Sequence, residues 1–460
     1  MIAVLLSCAH CWATQVVFID FDSRTGPGER NYSTSERNSI LQRVEQDYRQ
    51  WDFDFTLTPP SSGDFSTVFV NSGSPLGLAQ QIDFRNLDRN DTAEVNVNGS
   101  ASTSAQFVTL TANVISHELG HLQGLRHGDS FGPIGSGIEV STATPSDFLP
   151  TYPGPTAANN TRFHIMESDG LFIEDSTDQF FGPRSAVKLT FNEIGTVVAE
   201  TTGNNNSIAR AQFVELYNMP IPDTNFRAAV GDIDFYVDAV VVTGSRSTST
   251  DDDYYRFVGF EGDIFNFEVI STTIDHRIAD PIDSFLTLFD SSGSTVDYYG
   301  VPAENDDEWE GLDSILIDVI LPADGDYFVR VGHFSGNGPG GNRIGDYELF
   351  MYRLADAPLP PLLVGDFNSD GIVDAADYTV WRDTLGTSGT ELAADANGDQ
   401  LVDGGDYDLW RQNFGQVLAP AASIAPVAVP EPTTLLLACC AVAGATIGRR
   451  RAAVSGLVSR

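Results

Sequence analysis

The sequence predicts a multidomain protein: an α/β domain, then an all-β sandwich, then a small α-helical module built on a repeated loop. Three observations predict it. Residues 16–198 interleave strand-like and helix-like patterns. From about 200 to 354 short alternating strands recur between Gly and Asp turns. Residues 365–386 then return at 394–415. At 460 residues the chain is also long for one domain, where ~150 residues per domain is the ordinary expectation.

In the first domain, set at 14–198, VVFIDFD at 16–22 alternates as a strand. Ser33 and Glu36 form a capping box, and Ile40, Leu41, Val44, Tyr48 and Trp51 share one face of the helix that follows. Phe53, Phe55 and Leu57 alternate, STVFV at 66–70 makes a further strand, and AEVNVN at 93–98 another. Leu110, Val114, Ile115, Leu119 and Leu122 place a helix over 108–123, and RSAVKLTFNE at 184–193 reads as a closing helix.

The β region, set at 199–355, runs through DIDFYVDAVVV, DDDYYRFVGF, DIFNFEVI, SFLTLFD, SILIDVIL, GDYFVRVGHF and GDYELFMYRL. Many short strands separated by turn residues are the signature of a sandwich. A linker at 356–363 (DAPLPPLL) leads to the repeat at 364–416. Asp366, Asn368, Asp370, Asp374 and Asp377 stand at loop positions 1, 3, 5, 9 and 12, with the carbonyl of Ile372 at position 7. Asp395, Asn397, Asp399, Leu401, Asp403 and Asp406 repeat that order. Calcium takes six to eight hard oxygens around a tight turn, and this spacing supplies them twice. Position 6 is Gly371 in the first loop and Gln400 in the second, which predicts a weaker second site.

Acids outnumber bases 64 to 25, for a net charge of −39, and Lys188 is the only lysine. Such a surface repels nucleic acid and anionic lipid. It suits a soluble acidic exported protein, or one that gathers calcium. All four cysteines lie near the ends. Cys8 and Cys11 fall in MIAVLLSCAHCWA, an apolar run with a small-x-small end that reads as a signal peptide over 1–13; a CAHC metal or redox motif is the alternative. After a second linker at 417–428, residues 429–460 open on VPEPTTLLLACCAVAGATIGRRR: Pro-Glu-Pro, an apolar stretch over 433–448, then three arginines. The stretch is short for a ~20-residue spanning helix, and the arginines hold its end on the cytoplasmic side.

The chemistry concentrates at 113–130, NVISHELGHLQGLRHGDS, which carries three of the seven histidines. On a helix His117 and His121 lie one turn apart on one face, so their imidazoles can share a metal, with Glu118 beside the open position. Gly124 in a left-handed conformation ends the helix and lets His127 arrive as a third nitrogen ligand. Three histidines leave the fourth tetrahedral position to water, the arrangement of a catalytic zinc. His164 could be read as an extra ligand, but three nitrogens already suffice; Asp129 could orient a ligand histidine or bind calcium, but is expected to face solvent.

HELGHLQGLRH resembles the metzincin signature HExxHxxGxxH, and FHIMESDG at 163–170 resembles the methionine turn of that family, with Met166 in the methionine's place. The resemblance implies an α/β metzincin-like zinc endopeptidase over 14–198, one catalytic zinc on His117, His121 and His127, and Glu118 as general base. Ser168 stands where some members carry a tyrosine. DDDYYRF, DSFLTLFDSSGS, NDD at 305–307, ADGDYFVRV and GDYELF resemble the bacterial pre-peptidase C-terminal domain, a family that accompanies secreted peptidases and sometimes binds calcium. The repeat pair, with Trp381, Arg382, Trp410 and Arg411 in the helices after the loops, resembles a type I dockerin, an EF-hand-like module. The resemblance implies a cohesin-like partner, but Ala375, Ala376, Gly404 and Gly405, where that family selects its cohesin, offer little for hydrogen-bonded recognition, and an intramolecular or matrix-packing role is the competing reading. The tail resembles the PEP-CTERM sorting signal, which implies export, transient membrane anchoring and removal by an exosortase-type enzyme; a plain anchor is the alternative. The expectation is therefore an exported zinc endopeptidase acting on protein or peptide at the cell surface or outside it. The competing class is a non-catalytic surface or matrix protein with a structural metal site and calcium-dependent binding modules.

Overall fold

The computed structural model describes residues 14–24, 26, 29–73, 76–158, 161–167, 179–201, 205–334, 343–355, 365, 367, 373–389, 392, 394, 396 and 401–416. The segments expected to form a signal peptide (1–13), two linkers (356–363 and 417–428) and a sorting tail (429–460) lie outside the described residues. The chain divides into two compact units, 1–358 and 359–460.

The first unit opens with β1 (Gln15–Asp20), α1 (Thr34–Asp47), β2 (Phe53–Thr56), β3 (Ser66–Val70), β4 (Leu76–Ala79) and β5 (Thr92–Asn96). The strands join in the order β2-β1-β3-β5-β4, parallel except for β4, which pairs antiparallel with β5 at the edge. The capping box opens α1: Ser33 Oγ accepts from Glu36 N at 3.3 Å and Glu36 Oε2 accepts from Ser33 N at 2.8 Å. The histidine helix α2 (Ser104–Leu122) begins before the expected residue 108, because Thr103 and Gln106 form a second capping box. Its first turn is polar and exposed, so apolar spacing does not reveal it. α3 (Pro183–Ile194) follows, with Pro183 at its first position, where its missing N–H leaves no bond unmade.

The remaining strands of this unit are β6 (Val197–Ala199), β7 (Gln212–Phe213), β8 (Tyr217–Pro222), β9 (Ile233–Arg246), β10 (Asp253–Gly259), β11 (Ile264–Ile270), β12 (Ser284–Phe289), β13 (Asp297–Tyr298), β14 (Val301–Pro302), β15 (Glu304–Asn305), β16 (Ile315–Ile320), β17 (Gly325–His333) and β18 (Gly345–Ala355). One sheet runs β15-β12-β17-β10-β7, the other β16-β11-β18-β9-β6 with β8 also on β9, and β13 and β14 form a ribbon. The second of these sheets is buried on both faces. Val240, Val242, Leu349 and Met351 join one core with Phe257, Leu286 and Val329 of the facing sheet. The alternate residues Ala239, Val241, Phe350 and Tyr352 join the other core, with Val17 of β1, Leu119 of α2 and Phe191 of α3.

The expected fold class is thereby corrected. An α/β metzincin-like domain standing apart from an all-β sandwich is not what the chain forms. Among the described residues, eighteen strands and five α-helices, the longest 19 residues, make a β-rich molecule. The helices of 14–198 share their core with the downstream sheet instead of closing a core of their own. The reason lies in β9 and β18, whose near-continuous apolar residues need cover on both faces. Buried charges join the same surfaces: Arg184 of α3 reaches Asp318 at 2.7 Å, and Lys188 lies 2.9 Å from Asp129 and 2.8 Å from Glu268 of β11.

The expected α-helical EF-hand-like dockerin module is corrected too. The second unit shows two short helices, α4 (Ala375–Thr384) and α5 (Gly404–Asn413), over a buried core of Phe367, Ala394 and Val402. Asp374 and Asp403 cap these helices, accepting from Ala376 N at 2.7 Å and Gly405 N at 2.6 Å. The repeat is visible as an exchange of bonds: Trp381 Nε1 donates to the carbonyl of Asp403 at 2.7 Å, and Trp410 Nε1 to that of Asp374 at 2.9 Å. No helix among the described residues is long and apolar enough to cross a membrane.

Lys188 is 2 % exposed and lies between two carboxylates. Lys188→Met, which keeps the stem and removes the charge, is expected to lower the unfolding free energy by ~3–5 kcal/mol in urea titrations, because it strands Asp129 and leaves Glu268 only Arg126, at 3.6 Å.

Candidate metal centre

The three histidines meet because α2 ends in a defined way. Gly124 takes φ +85°, and any side chain there would overlap the backbone of Phe84. Gly124 N donates to the carbonyl of His121 at 2.8 Å and Leu125 N to that of Gly120 at 3.0 Å. This is the paired bonding of a Schellman turn, which reverses the chain at a left-handed glycine. The segment then enters a 3-10 turn, His127–Ser130, that sets the third imidazole beside the first two.

One ring nitrogen from each of His117, His121 and His127 falls within 4.8 Å of the others. The Nε2 atoms of His117 and His121 are 3.2 Å apart. Two nitrogens at ~2.0–2.1 Å on one tetrahedral zinc stand about that far from each other. The opposite ring nitrogens are all engaged. His117 Nδ1 lies 2.7 Å from the carbonyl of Ile165, and His121 Nδ1 lies 2.8 Å from that of Leu125. His127 Nδ1 bonds the Glu310 carboxylate. A carbonyl oxygen only accepts, so His117 and His121 carry their proton on Nδ1 and present the Nε2 lone pair to the shared centre. The donor set and its convergence fit a zinc ion.

Burial lowers His117 to about 4, with the nearby His127 acting in the same direction. It carries His121 well below its ordinary value. Both rings are thus neutral at physiological pH, as metal binding requires. Burial also opposes the charge on His127, but the hydrogen bond and charge of Glu310, helped by Glu118 and Glu167, bring it above its ordinary value. Glu118 is 7 % exposed, and burial pushes its carboxyl up to about 7 against a backbone hydrogen bond from Ala79. It lies under the edge strand β4, so close to Gly77 that a side chain at that position would overlap its carboxylate. A carboxyl near 7 beside an open position is suited to take up and return a proton.

Met166 is fully buried beneath α2, where a Cβ on Gly120 would come within 2.5 Å of its sulfur. Ile165, its neighbour, supplies the carbonyl that orients His117. Ser168 lies outside the described residues. His164 is not part of the cluster: it is 2 % exposed and bonds the carbonyl of Ser130 through Nδ1. Asp129 departs from its expected place at the surface. It is 8 % exposed, accepts from Arg126 N at 2.8 Å and pairs with Lys188, because the 3-10 turn folds it inward against α3.

A second group of possible ligands sits in the β region. Carboxylate oxygens of Asp283, Asp306 and Asp307 lie within 4.8 Å of one another. Asp306 is 3 % exposed, and one oxygen of each of the three is buried without a hydrogen-bond partner. Burial, with the neighbouring aspartates, raises Asp306 to about 7 and Asp283 to about 6. Of the residues expected to bind calcium in the repeat, Asp366, Asn368, Asp370, Ile372, Asp395, Asn397 and Asp399 lie outside the described residues. Asp377 and Asp406 are fully buried; each accepts a main-chain N–H on both oxygens, from Phe367 and Asp374 in one repeat and from Ala396 and Asp403 in the other. Leu401 pairs with Ser388 in a short bridge. Sequence reasoning missed Glu310, Gly77 and Asp283 as parts of these sites. Only NDD at 305–307 carried a signal, since nothing in local spacing ties residue 310 to residue 127.

Gly120→Ala would press the helix off Met166. The expected loss is ~1–3 kcal/mol of stability, the usual effect of overpacking a core, read as a lowered thermal midpoint.

No protein-family model matches the chain, and no curated protein does. Among solved structures it is similar to the pre-peptidase C-terminal domain of collagenase from Bacillus anthracis, at 19% identity over 24% of this chain and 86% of that one, TM-score 0.17. It is similar to PliG of Aeromonas hydrophila, a periplasmic inhibitor of g-type lysozyme, at 12% identity over 34% and 97%, TM-score 0.17. It is also similar to myroilysin, at 11% identity over 39% and 92%, TM-score 0.21. These are distant likenesses to parts of the chain.

Proposed function

We propose that this protein is an exported zinc-dependent endopeptidase. The observation that carries the reading is the convergence of His117, His121 and His127, each with its outer nitrogen tied off, beside a buried glutamate raised to about 7. A bound zinc would bring a water held at its open position toward a pKa of ~7 and polarise the peptide carbonyl. Glu118 would take up a proton from the attacking water and return it to the departing amine. The wall of Gly77 and Ala79 keeps the carboxylate of Glu118 in place, and Met166 supports the helix turn between His117 and His121. The signal-like start and the Pro-Glu-Pro tail support export, with processing by an exosortase-type enzyme and action at the cell surface or beyond it.

Expressed as the full chain, the protein is expected to carry about one zinc by elemental analysis and to cleave casein. Glu118→Ala should keep the zinc and lose ~10²–10⁴-fold in cleavage rate, the usual contribution of a general base. Equal cleavage by the variant would refute this role for Glu118. Zinc without cleavage by the unmutated chain, on casein and on narrower substrates, would favour the matrix-binding class.

Calcium belongs to the same proposal, at the two repeat loops (Asp366, Asn368, Asp370, Ile372, Asp374 and Asp377; Asp395, Asn397, Asp399, Leu401, Asp403 and Asp406) and at Asp283, Asp306 and Asp307. The support for the last is the buried, unpartnered oxygen of Asp306. Raised carboxyl values stabilise the calcium-free fold fully below about pH 4, and that contribution is lost as pH rises through about 6 to 7. Calcium binds the deprotonated form. The rise in thermal midpoint on adding calcium should therefore grow between pH 5 and pH 8, and Asp306→Asn should remove part of that growth. A calcium effect that is flat with pH would count against the aspartate site.

A further inference from the structure

The three candidate ligands are not held alike. His117 and His121 stand on one helix and are oriented by main-chain carbonyls of Ile165 and Leu125. His127 stands on a four-residue 3-10 turn, its side chain 29% exposed, and is oriented by a side chain 183 positions downstream. One Glu310 oxygen bonds Nδ1, and the other accepts the main-chain N–H of His127 at 3.2 Å. A two-point contact of this kind sets both the ring and the backbone that carries it.

The loop between β15 and β16 is built to deliver this carboxylate. Glu308 Oε1 lies 2.7 Å from Nη1 of Arg126, the residue before His127. Trp309 covers Gly128, the residue after it, so closely that a Cβ there would overlap the indole. The same indole packs on Phe131 and Phe148, with ring centres at 5.2 and 5.7 Å. Asp313 closes the loop, 2.5 Å from Nη2 of Arg126, and accepts from the main chain of Ser271, Thr272 and Thr273. Residues 126–128 are thus gripped on both sides of the histidine, and Glu310 is the member of the grip that touches the ring.

We propose that Glu310 is a positioning residue of the metal centre: its carboxylate keeps the proton on His127 Nδ1 and turns Nε2 toward His117 and His121, so that the β region completes the site. The proposal rests on the zinc reading of these histidines. An ionised carboxylate on the far nitrogen sets tautomer and ring orientation and makes the imidazole a stronger donor to a metal, and losing such a partner ordinarily lowers metal affinity ~10–100-fold. An exposed ion pair with no bearing on the site would leave metal affinity unchanged.

The test uses the full chain and the variants Glu310→Ala and Glu310→Gln. Zinc affinity is measured by competition with a chromophoric chelator, the Co(II)-loaded protein is followed by its visible absorption, and the metal-free thermal midpoint is recorded. The expected result is a ~10–100-fold loss of zinc affinity in Glu310→Ala, with an altered Co(II) spectrum and a metal-free midpoint close to wild type. Glu310→Gln, which keeps an oxygen for the Nδ1 proton but not the charge, should recover part of the affinity and most of the spectrum. Zinc affinity and Co(II) spectra equal to wild type in both variants would overturn the proposal and leave the zinc reading standing. If Glu310→Ala does not fold, the same readouts on the isosteric Glu310→Gln decide. Absence of zinc from the wild type overturns the metal reading and this proposal together.

Discussion

The buried charges around Arg126, Arg184 and Lys188 are the constraint on which the rest of the structure depends. Arg126 faces Glu308 and Asp313, Lys188 lies between Asp129 and Glu268, and Arg184 reaches Asp318, all of them at most 8 % exposed. Charges taken out of water are tolerated only where partners and hydrogen bonds are complete. Here the cations come from α3 and the turn after α2, and most of the carboxylates come from the β region. The two stretches can bury these groups only together. Burial pushes Glu308 up to about 8 despite Arg126, and the like charges of Glu310, Glu268 and Asp313 act in the same direction.

The same constraint gives the six-stranded sheet its unusual role. Its strands β9 and β18 carry apolar residues on both faces, one toward the facing sheet and the other toward α2, α3 and β1. A sheet with one solvated face would alternate apolar and polar residues. This one is the middle layer of the first unit, with polar side chains such as Asn266 and Glu268 reserved for the charges of α3. The candidate metal centre lies where these layers meet, which is why a loop near residue 310 can act on a turn near residue 127.

Local chemistry then refines what the layers allow. The Schellman turn at Gly124 brings His127 back and leaves the Leu125 carbonyl facing His121. Gly120 lets Met166 pack directly under the helix, and Gly77 leaves room for the carboxylate of Glu118. A side chain at Gly120 or Gly77 would displace a group of the site, and one at Gly124 would meet the backbone of Phe84.

Much of the local geometry was legible in the sequence, for a definite reason. Helical spacing puts His117 and His121 on one face, a left-handed glycine is needed to turn the chain after them, and Ser33 with Glu36 announces a helix start; each depends on residues only a few positions apart. Tertiary structure alone decided what those residues meet. Alternating strands in 200–354 implied a sandwich standing by itself, but the second buried face of β9 and β18 depends on helices distant in sequence. The Asp129–Lys188 pair, the Glu310–His127 contact and the Asp283–Asp306–Asp307 group join positions far apart along the chain. Electrostatic partners of that kind are chosen by burial and distance in the folded chain, neither of which has any periodicity for a sequence to display.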